Sequence, residues 1–206
     1  MEIEAKYKLS DEEAGLAVFH SQMVRQYCVG DGHTLQMESE YYQDPQGRLN
    51  AEGFTLRLRR ENGRGVCCLK QDVRTEDAVW IRKELECPAE TISGGVRGLL
   101  ALGAPQSFAD AVRDGELELV AQVRFLRRTL LLELGGACVE LAFDAGNFGA
   151  ARGVPFYELE IEWKSGEKEP FRAFLRALEQ AFSLEPQPKS KYARAKQIAC
   201  LQKIEK

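Results

Sequence analysis

The chain is poor in the residues that build metal centres from nitrogen and sulfur ligands. It has two histidines, and its six cysteines include no C-x-x-C pair, so the sequence excludes a recognisable zinc site. We interpret the cysteines as buried or incidental thiols in a reducing compartment. His20 lies within a predicted helix and His33 at the start of a predicted strand, and neither receives a functional assignment.

Several features that would assign a function directly are also missing. No apolar run approaches about eighteen residues, and the first residues are acidic, so we expect neither a membrane span nor a secretory signal. The sequence has no G-x-x-x-x-G-K-[ST] or G-x-G-x-x-G motif, which excludes a P-loop or Rossmann nucleotide site. A net charge of −4 argues against a general nucleic-acid binder. We therefore expect a cytoplasmic protein in which any anion site is concentrated in one place.

With 206 residues, 44% of them apolar, the chain is long enough to bury a core, and no repeat or linker divides it. We predict a single domain over residues 1–206. Alternation and turn residues predict eight strands, at about 1–9, 33–43, 53–60, 65–71, 78–87, 116–134, 137–144 and 155–163. Helical periodicity predicts helices at 11–27, 91–102, 106–114, 169–182 and from about 190.

Local motifs indicate how these elements begin and connect. Ser10-x-x-Glu13 is a capping-box pattern in front of the first helix. Asn62-Gly63 is typical of a hairpin turn between neighbouring strands. The sheet is therefore predicted to be mainly antiparallel, and together with the helices it gives an α+β fold.

One face of most predicted strands is charged. Glu2, Glu4 and Lys6 alternate with apolar residues, and E-x-E pairs recur at 84–86 and 158–160. Like charges this close oppose folding unless cations lie between them. The charges either lie in water on an open sheet that packs against helices, or they line the inside of a closed sheet. In a closed sheet the carboxylates would bind hard divalent ions and the basic residues would hold phosphate oxygens.

A set of short motifs occurs in one order between about residues 2 and 198. They are Glu2-x-Glu4-x-Lys6, Tyr41-Tyr42 before Pro45, Leu56-Arg57-Leu58-Arg59, Glu61-Asn62-Gly63, Leu69-Lys70, Arg82-x-Glu84-x-Glu86, Arg127, Glu140, Asp144, Glu158-x-Glu160 and Ser190-Lys191-Tyr192. Each motif alone is short enough to arise by chance. Together, in this order, they resemble the CYTH family, the triphosphate tunnel enzymes.

The resemblance implies an α+β fold with a closed eight-stranded antiparallel β-barrel, open at both ends and flanked by helices. Its charged interior would bind a triphosphate together with Mg²⁺ or Mn²⁺, as two ions. The implied partner is thus a small-molecule triphosphate, with no nucleic acid and no membrane. The oligomeric state stays open, with a dimer as one option.

The resemblance also implies roles for individual residues. The metal ligands would be Glu2, Glu4, Glu158 and Glu160, followed by Glu84, Glu86, Glu140 and Asp144. The phosphate-binding residues would be Lys6, Lys8, Arg57, Arg59, Lys70, Arg82, Arg127 and Lys191, with Lys8 nearer the rim. The residues directly involved in catalysis would be Glu4, Lys6, Glu160 and Lys191.

Two assignments within these motifs depend on strand geometry. Arg124 and Arg128 point away from Arg127 in a regular strand, and a bulge could exchange their roles. The three tyrosines of the motifs are interpreted as packing or rim residues because of their aromatic character. They are Tyr41, Tyr42 and Tyr192.

Three classes of function remain open at this point: a triphosphatase, a cyclase and a binding module. The motif spacing most resembles the bacterial inorganic triphosphatase branch, so we predict a metal-dependent triphosphatase. Thr55 stands at the position of the Trp in the Trp-Leu-Arg pattern that the thiamine triphosphatase branch resembles. This difference weakens the prediction of thiamine triphosphate as the substrate. The alternatives are a thiamine or nucleoside triphosphatase, an adenylyl cyclase that forms cyclic AMP from ATP, and a non-catalytic polyphosphate-binding module.

Overall fold

The computed structural model describes residues 2–76, 79–149 and 153–204. Its strands are β1 (Glu2–Lys8), β2 (Cys28–Gln43), β3 (Phe54–Glu61), β4 (Arg64–Glu76), β5 (Val79–Pro88), β6 (Glu118–Glu133), β7 (Ala137–Phe148), β8 (Val154–Gly166) and β9 (Glu185–Pro186). Its helices are α1 (Glu12–His20), α2 (Gln22–Arg25), α3 (Arg48–Ala51), α4 (Ile92–Ala101), α5 (Gln106–Ala111), α6 (Lys168–Phe182) and α7 (Lys191–Ile204).

Eight of the strands form a closed antiparallel barrel. Their order is β5-β4-β3-β2-β6-β7-β8-β1, and a further pairing of β1 with β5 closes the sheet. Ile3 of β1 is opposite Trp163 on one side and Ile81 on the other. The short strand β9 pairs only with the end of β1. The predicted closed barrel is confirmed, and the open-sheet alternative is wrong.

The barrel has an apolar outer surface beneath the helices. Ile3, Ala5 and Tyr7 of β1 are buried in a cluster that also contains residues of α1, α2 and α6. A second cluster lies under α3, α4 and α5, against β3, β4 and β5. Because side chains alternate along a strand, packing one face against helices leaves Glu4 and Lys6 pointing into the barrel. Apolar burial on the outside therefore fixes the charged face inside.

A third apolar cluster lies at one end of the barrel interior. Met37, Tyr41 and Phe125 pack there with Tyr192 and Ala195 of α7. The ring centroids of Tyr41 and Tyr192 are 5.2 Å apart. Helix α7 therefore covers this part of the interior. An apolar inner surface at this end needs a cover against water, which α7 provides.

The first helix differs from its prediction. Residues 11–27 form two helices, because Ser21 is extended (φ −60°, ψ 148°) and caps α2 by accepting a hydrogen bond from the Val24 amide. The N-cap of α1 is Asp11, which accepts from the Ala14 amide at 2.8 Å. The predicted capping residue Ser10 instead donates to the Asp11 carboxylate. The capping-box assignment is therefore wrong by one residue.

Strand β2 starts at Cys28, earlier than the predicted residue 33. Gly30 and Gly32 adopt positive φ angles of 77° and 78°, and the register with β6 shifts between Val29 and His33. This irregularity hides the alternation from the sequence pattern. Residues 1, 78, 205 and 206, which the predicted terminal and fifth elements include, lie outside the described residues. Within the described residues, each helix is too short or too polar to span a membrane.

Gly15 lets α1 approach β7 closely, and Gly15→Ala is expected to destabilise the protein. An ideal Cβ at this position would lie 2.1 Å from Cε2 of the fully buried Phe143 ring. Overpacking costs about 1–3 kcal/mol, which outweighs the roughly 1 kcal/mol gained in helix propensity. Urea denaturation should show a lower free energy of unfolding. As control, Ala17→Gly at an exposed position of α1 should lose only about 1 kcal/mol through propensity. An unchanged free energy of unfolding in Gly15→Ala would refute the close packing.

Candidate active site in the barrel

The barrel encloses a cavity of about 430 Å³. Among the described residues, eight acidic and eight basic side chains line it. The acidic ones are Glu2, Glu4, Glu61, Glu84, Glu86, Glu140, Glu160 and Glu162, and the basic ones are Lys6, Arg57, Arg59, Lys70, Arg82, Arg127, Lys164 and Lys191. Their formal charges cancel. A polyanion that entered the cavity would therefore add uncompensated negative charge unless cations accompanied it.

Strands β1 and β5 place Glu4 between two cations. Arg82 Nη1 donates to Glu4 Oε1 at 2.5 Å, and Lys6 Nζ lies 2.7 Å from the same oxygen. All three side chains are buried. The guanidinium of Arg82 also lies over the Trp80 ring, 4.5 Å from its centroid. Both cations thus contact the same carboxylate oxygen of Glu4.

Next to this group, Lys70 of β4 bridges two strands. Its Nζ donates to both Glu2 oxygens, at 2.7 and 2.8 Å, and lies 3.2 Å from Glu84 Oε1. Burial alone would lower the pKa of Lys70, but the charge of Glu2 raises it above its usual range. The ammonium group therefore stays charged in the cavity wall.

Arg57 and Arg59 lie side by side on the inner face of β3. Arg59 Nη2 donates to Glu86 Oε1 at 3.2 Å and lies 2.5 Å from Glu61 Oε1, while the shortest carboxylate contact of Arg57 is 3.9 Å, to Glu86. Arg57 Nη2 and Arg59 Nε are buried and have no hydrogen-bond partner among the described residues. Burial and the neighbouring Arg57 charge lower the pKa of Arg59. Each of these guanidinium groups therefore has a nitrogen left for a further acceptor.

Arg127 and Lys191 lie at the α7 end. Arg127 forms a two-pronged hydrogen bond with Asp144, at 2.8 and 2.7 Å, and also contacts Glu160. Lys191 Nζ lies 2.8 Å from Asp144 Oδ2 and 2.8 Å from Glu160 Oε1, and it contacts Glu158. Burial alone would raise the pKa of Glu160, but the charges of Lys191 and Arg127 hold it well below its usual range. Glu160 is thus an ionised carboxylate at the cavity surface.

Among the described residues, two sets of side chains have ligand atoms close enough to share one metal ion. They are Cys68, Glu84 and Glu86, and Asp144, Glu158 and Glu160, with ligand atoms within 4.8 Å of one another in each set. Burial raises the pKa of Cys68, and its thiol donates to Glu84 Oε1 at 2.9 Å. Cys68 is therefore a neutral thiol rather than a thiolate ligand.

The structure brings most of the predicted site residues into the cavity wall. The predicted residues that line the cavity are Glu2, Glu4, Lys6, Arg57, Arg59, Lys70, Arg82, Glu84, Glu86, Arg127, Glu140, Glu160 and Lys191. Asp144 and Glu158 are fully buried behind this wall and do not line it. Lys8 is exposed and lies in a separate shallow depression next to Ser10 and Phe182. At Lys8, β1 still pairs with β8 through Glu158, but its other neighbour is β9 instead of β5.

The side chains of β6 alternate regularly between the inside and the outside of the barrel around Arg127. Its side chain reaches Asp144 inside the barrel, whereas Arg128 donates to Glu12 of α1 on the outside. Arg124 is exposed beside Glu38. A bulge that would exchange the three arginines is therefore excluded.

The CYTH domain family model matches residues 1–195. The chain belongs to the CYTH family. This CYTH chain is also similar to a structure of a proposed adenylyl cyclase from Hippeastrum that is described as having a dominant triphosphatase activity. The two share 21% identity over 96% of each chain, with a TM-score of 0.66.

Two further solved structures share the fold of this CYTH chain. The PH1819 protein of Pyrococcus horikoshii is 20% identical, over 98% of this chain and 99% of that one, with a TM-score of 0.59. The capping-enzyme triphosphatase of Mimivirus is 9% identical, over 89% of each chain, with a TM-score of 0.52. At these identities the likeness concerns the fold.

Sequence reasoning missed four charged residues of this CYTH site, one of which is Glu61, whose Oε1 lies 2.5 Å from Arg59 Nη2 in the cavity wall. Glu162 and Lys164 line the cavity, with Lys164 Nζ 2.7 Å from Glu162 Oε2. They follow Glu160 at the strand period of two, so the alternation of β8 could have found them. Arg194 contacts Glu158 and follows Lys191 by three residues on α7, so helical spacing could have found it.

Proposed function

We propose that this CYTH protein hydrolyses inorganic triphosphate to pyrophosphate and phosphate in the barrel cavity, with divalent metal ions. The observation that carries this proposal is the cavity lining, in which eight acidic and eight basic side chains interleave. Basic residues alone would suffice to bind a phosphate chain. The carboxylates are explained if divalent cations bind beside the phosphates.

The basic residues would hold the substrate. Arg57 and Arg59 can place planar pairs of N–H groups on phosphate oxygens, and their buried unpartnered nitrogens support this role. Lys70 on the neighbouring strand β4, Arg82 on β5 and Lys6 on β1 would bind the chain from the adjoining part of the wall. Arg127 and Lys191 would act at the α7 end, with Lys191 as the group that offsets charge on the terminal phosphate. Lys8 lies outside the cavity and is left out of this set.

The acidic residues fit Mg²⁺ or Mn²⁺, since the cavity offers carboxylate oxygens and few nitrogen or sulfur ligands. Glu2, Glu4 and Glu160 would hold the ions, with Glu84, Glu86 and Glu140 as further ligands, and the number of carboxylates suits two ions. A bound ion of this kind supplies charge to phosphate oxygens and makes water a better nucleophile.

In the reaction, a water oxygen bonds to the terminal phosphorus and the bond from that phosphorus to the bridging oxygen breaks. Glu4 and Glu160 would orient the water through their charge. Lys6 and Lys191 would stabilise the negative charge on the leaving pyrophosphate and the transferred phosphoryl group.

An adenylyl cyclase is the second candidate. Part of the cavity wall is apolar, with Leu35, Met37 and Phe125 next to the charged residues, and such a wall could contact an adenine base. A non-catalytic module is disfavoured, because binding alone would not need this many carboxylates. Thiamine triphosphate is also disfavoured, by Thr55 in the cavity wall. We further propose that the whole chain acts as one domain in the cytoplasm on a small-molecule substrate.

Inorganic triphosphate is expected to be hydrolysed faster than ATP or thiamine triphosphate. The charged lining offers contacts for a phosphate chain along most of the cavity, and an organic group would lose part of them. Phosphate release and cyclic-nucleotide formation should be measured on the purified protein with Mg²⁺ or Mn²⁺, and with EDTA as control. Cyclic AMP as the dominant product from ATP would reverse the ranking in favour of the cyclase.

A further inference from the structure

The indole of Trp80 lies beside the charged wall of the cavity. Trp80 and Arg82 are two residues apart on β5, so both lie on the strand face that carries Glu84 and Glu86 into the cavity. In the strand pairing Trp80 is opposite Glu4 of β1. The ring is partly buried, and it is absent from the described residues that line the cavity. Any influence of Trp80 on a bound phosphate is therefore transmitted through its neighbours.

The ring of Trp80 faces two cations that share one carboxylate oxygen. The guanidinium carbon of Arg82 lies 4.5 Å from the ring centroid, and Lys6 Nζ lies 5.9 Å from it. Both cations contact Glu4 Oε1, at 2.5 and 2.7 Å. The electron-rich face of an indole attracts cations within about 6 Å. The ring thus lowers the cost of holding two like charges next to one carboxylate.

The contact between Trp80 and Arg82 is the shorter of the two and is well desolvated. Arg82 is 4% exposed, and a cation–π contact gains strength where water is excluded. The hydrogen bond to Glu4 fixes a direction within the guanidinium plane, whereas an aromatic ring over the group restrains how that plane tilts. Glu4 and Trp80 together therefore contribute to the orientation of the Arg82 guanidinium group.

Metal binding would change this balance at Glu4. Under the proposed function Glu4 is a metal ligand, so most of its negative charge would be directed to the ion. The attraction between Glu4 and Arg82 would then weaken, and with it the restraint on the guanidinium group. An aromatic ring is no ligand for a hard divalent ion. The contact between Trp80 and Arg82 is therefore one that bound metal does not compete for.

We propose that Trp80 is a positioning residue that keeps the guanidinium group of Arg82 oriented toward substrate phosphate when Glu4 binds metal. This inference rests on the proposed function, because it takes Arg82 as a phosphate-binding group and Glu4 as a metal ligand. The indole replaces part of the attraction that Arg82 loses from Glu4. It carries no charge, so it neither repels the phosphate chain nor attracts a further ion.

The test is the binding of pyrophosphate in the presence of Mg²⁺, measured by isothermal titration calorimetry, because the proposed reaction ends with this ligand. Trp80→Leu keeps an apolar side chain but removes the ring. It should weaken binding about tenfold, or about 1.4 kcal/mol. Trp80→Phe should stay within about threefold of the original affinity, because it restores a ring face.

Trp163 supplies the matched control, because it is the other tryptophan of the chain. It packs against the apolar cluster outside the barrel, and Lys168 Nζ lies 5.5 Å from its ring centroid. Trp163→Leu thus removes the same kind of contact away from the cavity and should change binding less than about twofold. Circular dichroism and thermal unfolding check that each variant is folded.

A double variant shows whether Trp80 acts through Arg82. Arg82→Gln alone should weaken binding at least about tenfold. Adding Trp80→Leu should then cost less than about a further twofold, because the group that the ring positions is gone. A further tenfold loss, roughly additive with the first, would place the effect on another residue and overturn the proposal. Unchanged affinity in Trp80→Leu would overturn it as well, and so would a Trp80→Phe variant as weak as Trp80→Leu.

Kinetics with tripolyphosphate and Mg²⁺ give a second readout. Trp80→Leu should raise KM about tenfold and keep kcat within about threefold, because Arg82 is assigned to substrate binding and not to the catalytic set. A lower kcat at unchanged KM would contradict positioning through Arg82. If the original protein hydrolyses tripolyphosphate without measurable binding of pyrophosphate, the KM values of the same variants decide the question.

The two proposals can fail separately. Hydrolysis of tripolyphosphate by the original protein, with unchanged pyrophosphate binding and unchanged KM in Trp80→Leu, would keep the proposed function and refute the role of Trp80. Pyrophosphate binding that depends on Trp80, in a protein that does not hydrolyse tripolyphosphate, would support this role and refute the proposed reaction. Absence of both binding and hydrolysis in the original protein would overturn both.

Discussion

Replacing Glu4 with glutamine is expected to abolish turnover of inorganic triphosphate while the barrel stays folded. Glu4 is 4% exposed and accepts from Arg82 at 2.5 Å. Glutamine keeps the volume and an acceptor oxygen for Arg82 and Lys6, but it removes the negative charge that a divalent ion needs. We expect kcat to fall at least about 1000-fold, near 4 kcal/mol by rate arithmetic.

The measurement is phosphate release at ordinary Mg²⁺ or Mn²⁺ concentration, with circular dichroism and thermal unfolding to check the fold. Glu12→Gln is a matched control, because Glu12 is exposed on α1 and pairs with Arg128 outside the barrel. It should keep the original rate to within about twofold. Raising the metal concentration should recover part of the activity of Glu4→Gln if Glu4 is a ligand. Original rates in Glu4→Gln at ordinary metal concentration would show that Glu2-x-Glu4-x-Lys6 has no role in catalysis.

Alternation in the sequence predicts which residues share one face of a strand. Alternation alone does not predict whether that face lies inside or outside a closed barrel. Glu2, Glu4 and Lys6 would alternate in the same way on an open sheet. Closure depends on the pairing of β1 with β5, two strands more than seventy residues apart. The order of the motifs along the chain, compared with the CYTH family, supplied this information. The closed barrel was predictable for that reason.

The position of an inward-facing side chain along the barrel axis was not predictable from the sequence. Alternation along a strand shows only which face a side chain lies on. Lys8 has the same parity as Lys6, yet at Lys8 strand β9 has replaced β5 beside β1 and the side chain lies outside the cavity. Glu158 has the same parity as Glu160, yet it lies deeper, where α7 covers part of the interior. The difference arises from strand ends and from a helix that follows about thirty residues later. Neither leaves a periodic signal in β1 or β8.

Arg57 and Arg59 give the most direct test of the cavity as a phosphate site. Both face the cavity from β3, and each has a buried nitrogen without a hydrogen-bond partner among the described residues. The neighbouring Arg57 charge contributes to the lowered pKa of Arg59. Without bound phosphate the two cations repel one another, with Glu61 and Glu86 offsetting part of this repulsion, and phosphate oxygens would relieve more of it.

Alanine at either position is expected to reduce kcat/KM strongly without loss of stability. The loss of transition-state stabilisation should be about 2–4 kcal/mol, or roughly 30- to 1000-fold in kcat/KM. Lysine at either position should restore only part of the lost kcat/KM, because its ammonium point charge replaces the planar guanidinium group. The free energy of unfolding should stay level or increase, since a buried cation that faces a like charge is removed.

Arg60 is the matched control on the same strand, because it points to the other face and pairs with Glu40 at 3.6 Å. Arg60→Ala should keep kcat/KM to within about twofold, as exposed ion pairs contribute only about 0–1 kcal/mol. If Arg57→Ala and Arg59→Ala both stayed within about threefold of the original kcat/KM, near 0.6 kcal/mol by rate arithmetic, β3 would not carry phosphate-binding residues. The unpaired nitrogens of Arg57 and Arg59 would then be an energetic cost that the fold tolerates. The substrate would have to bind against β1 and β5. Unfolding measurements on the same variants check the repulsion between Arg57 and Arg59 independently, because its relief raises stability whether or not substrate binds there.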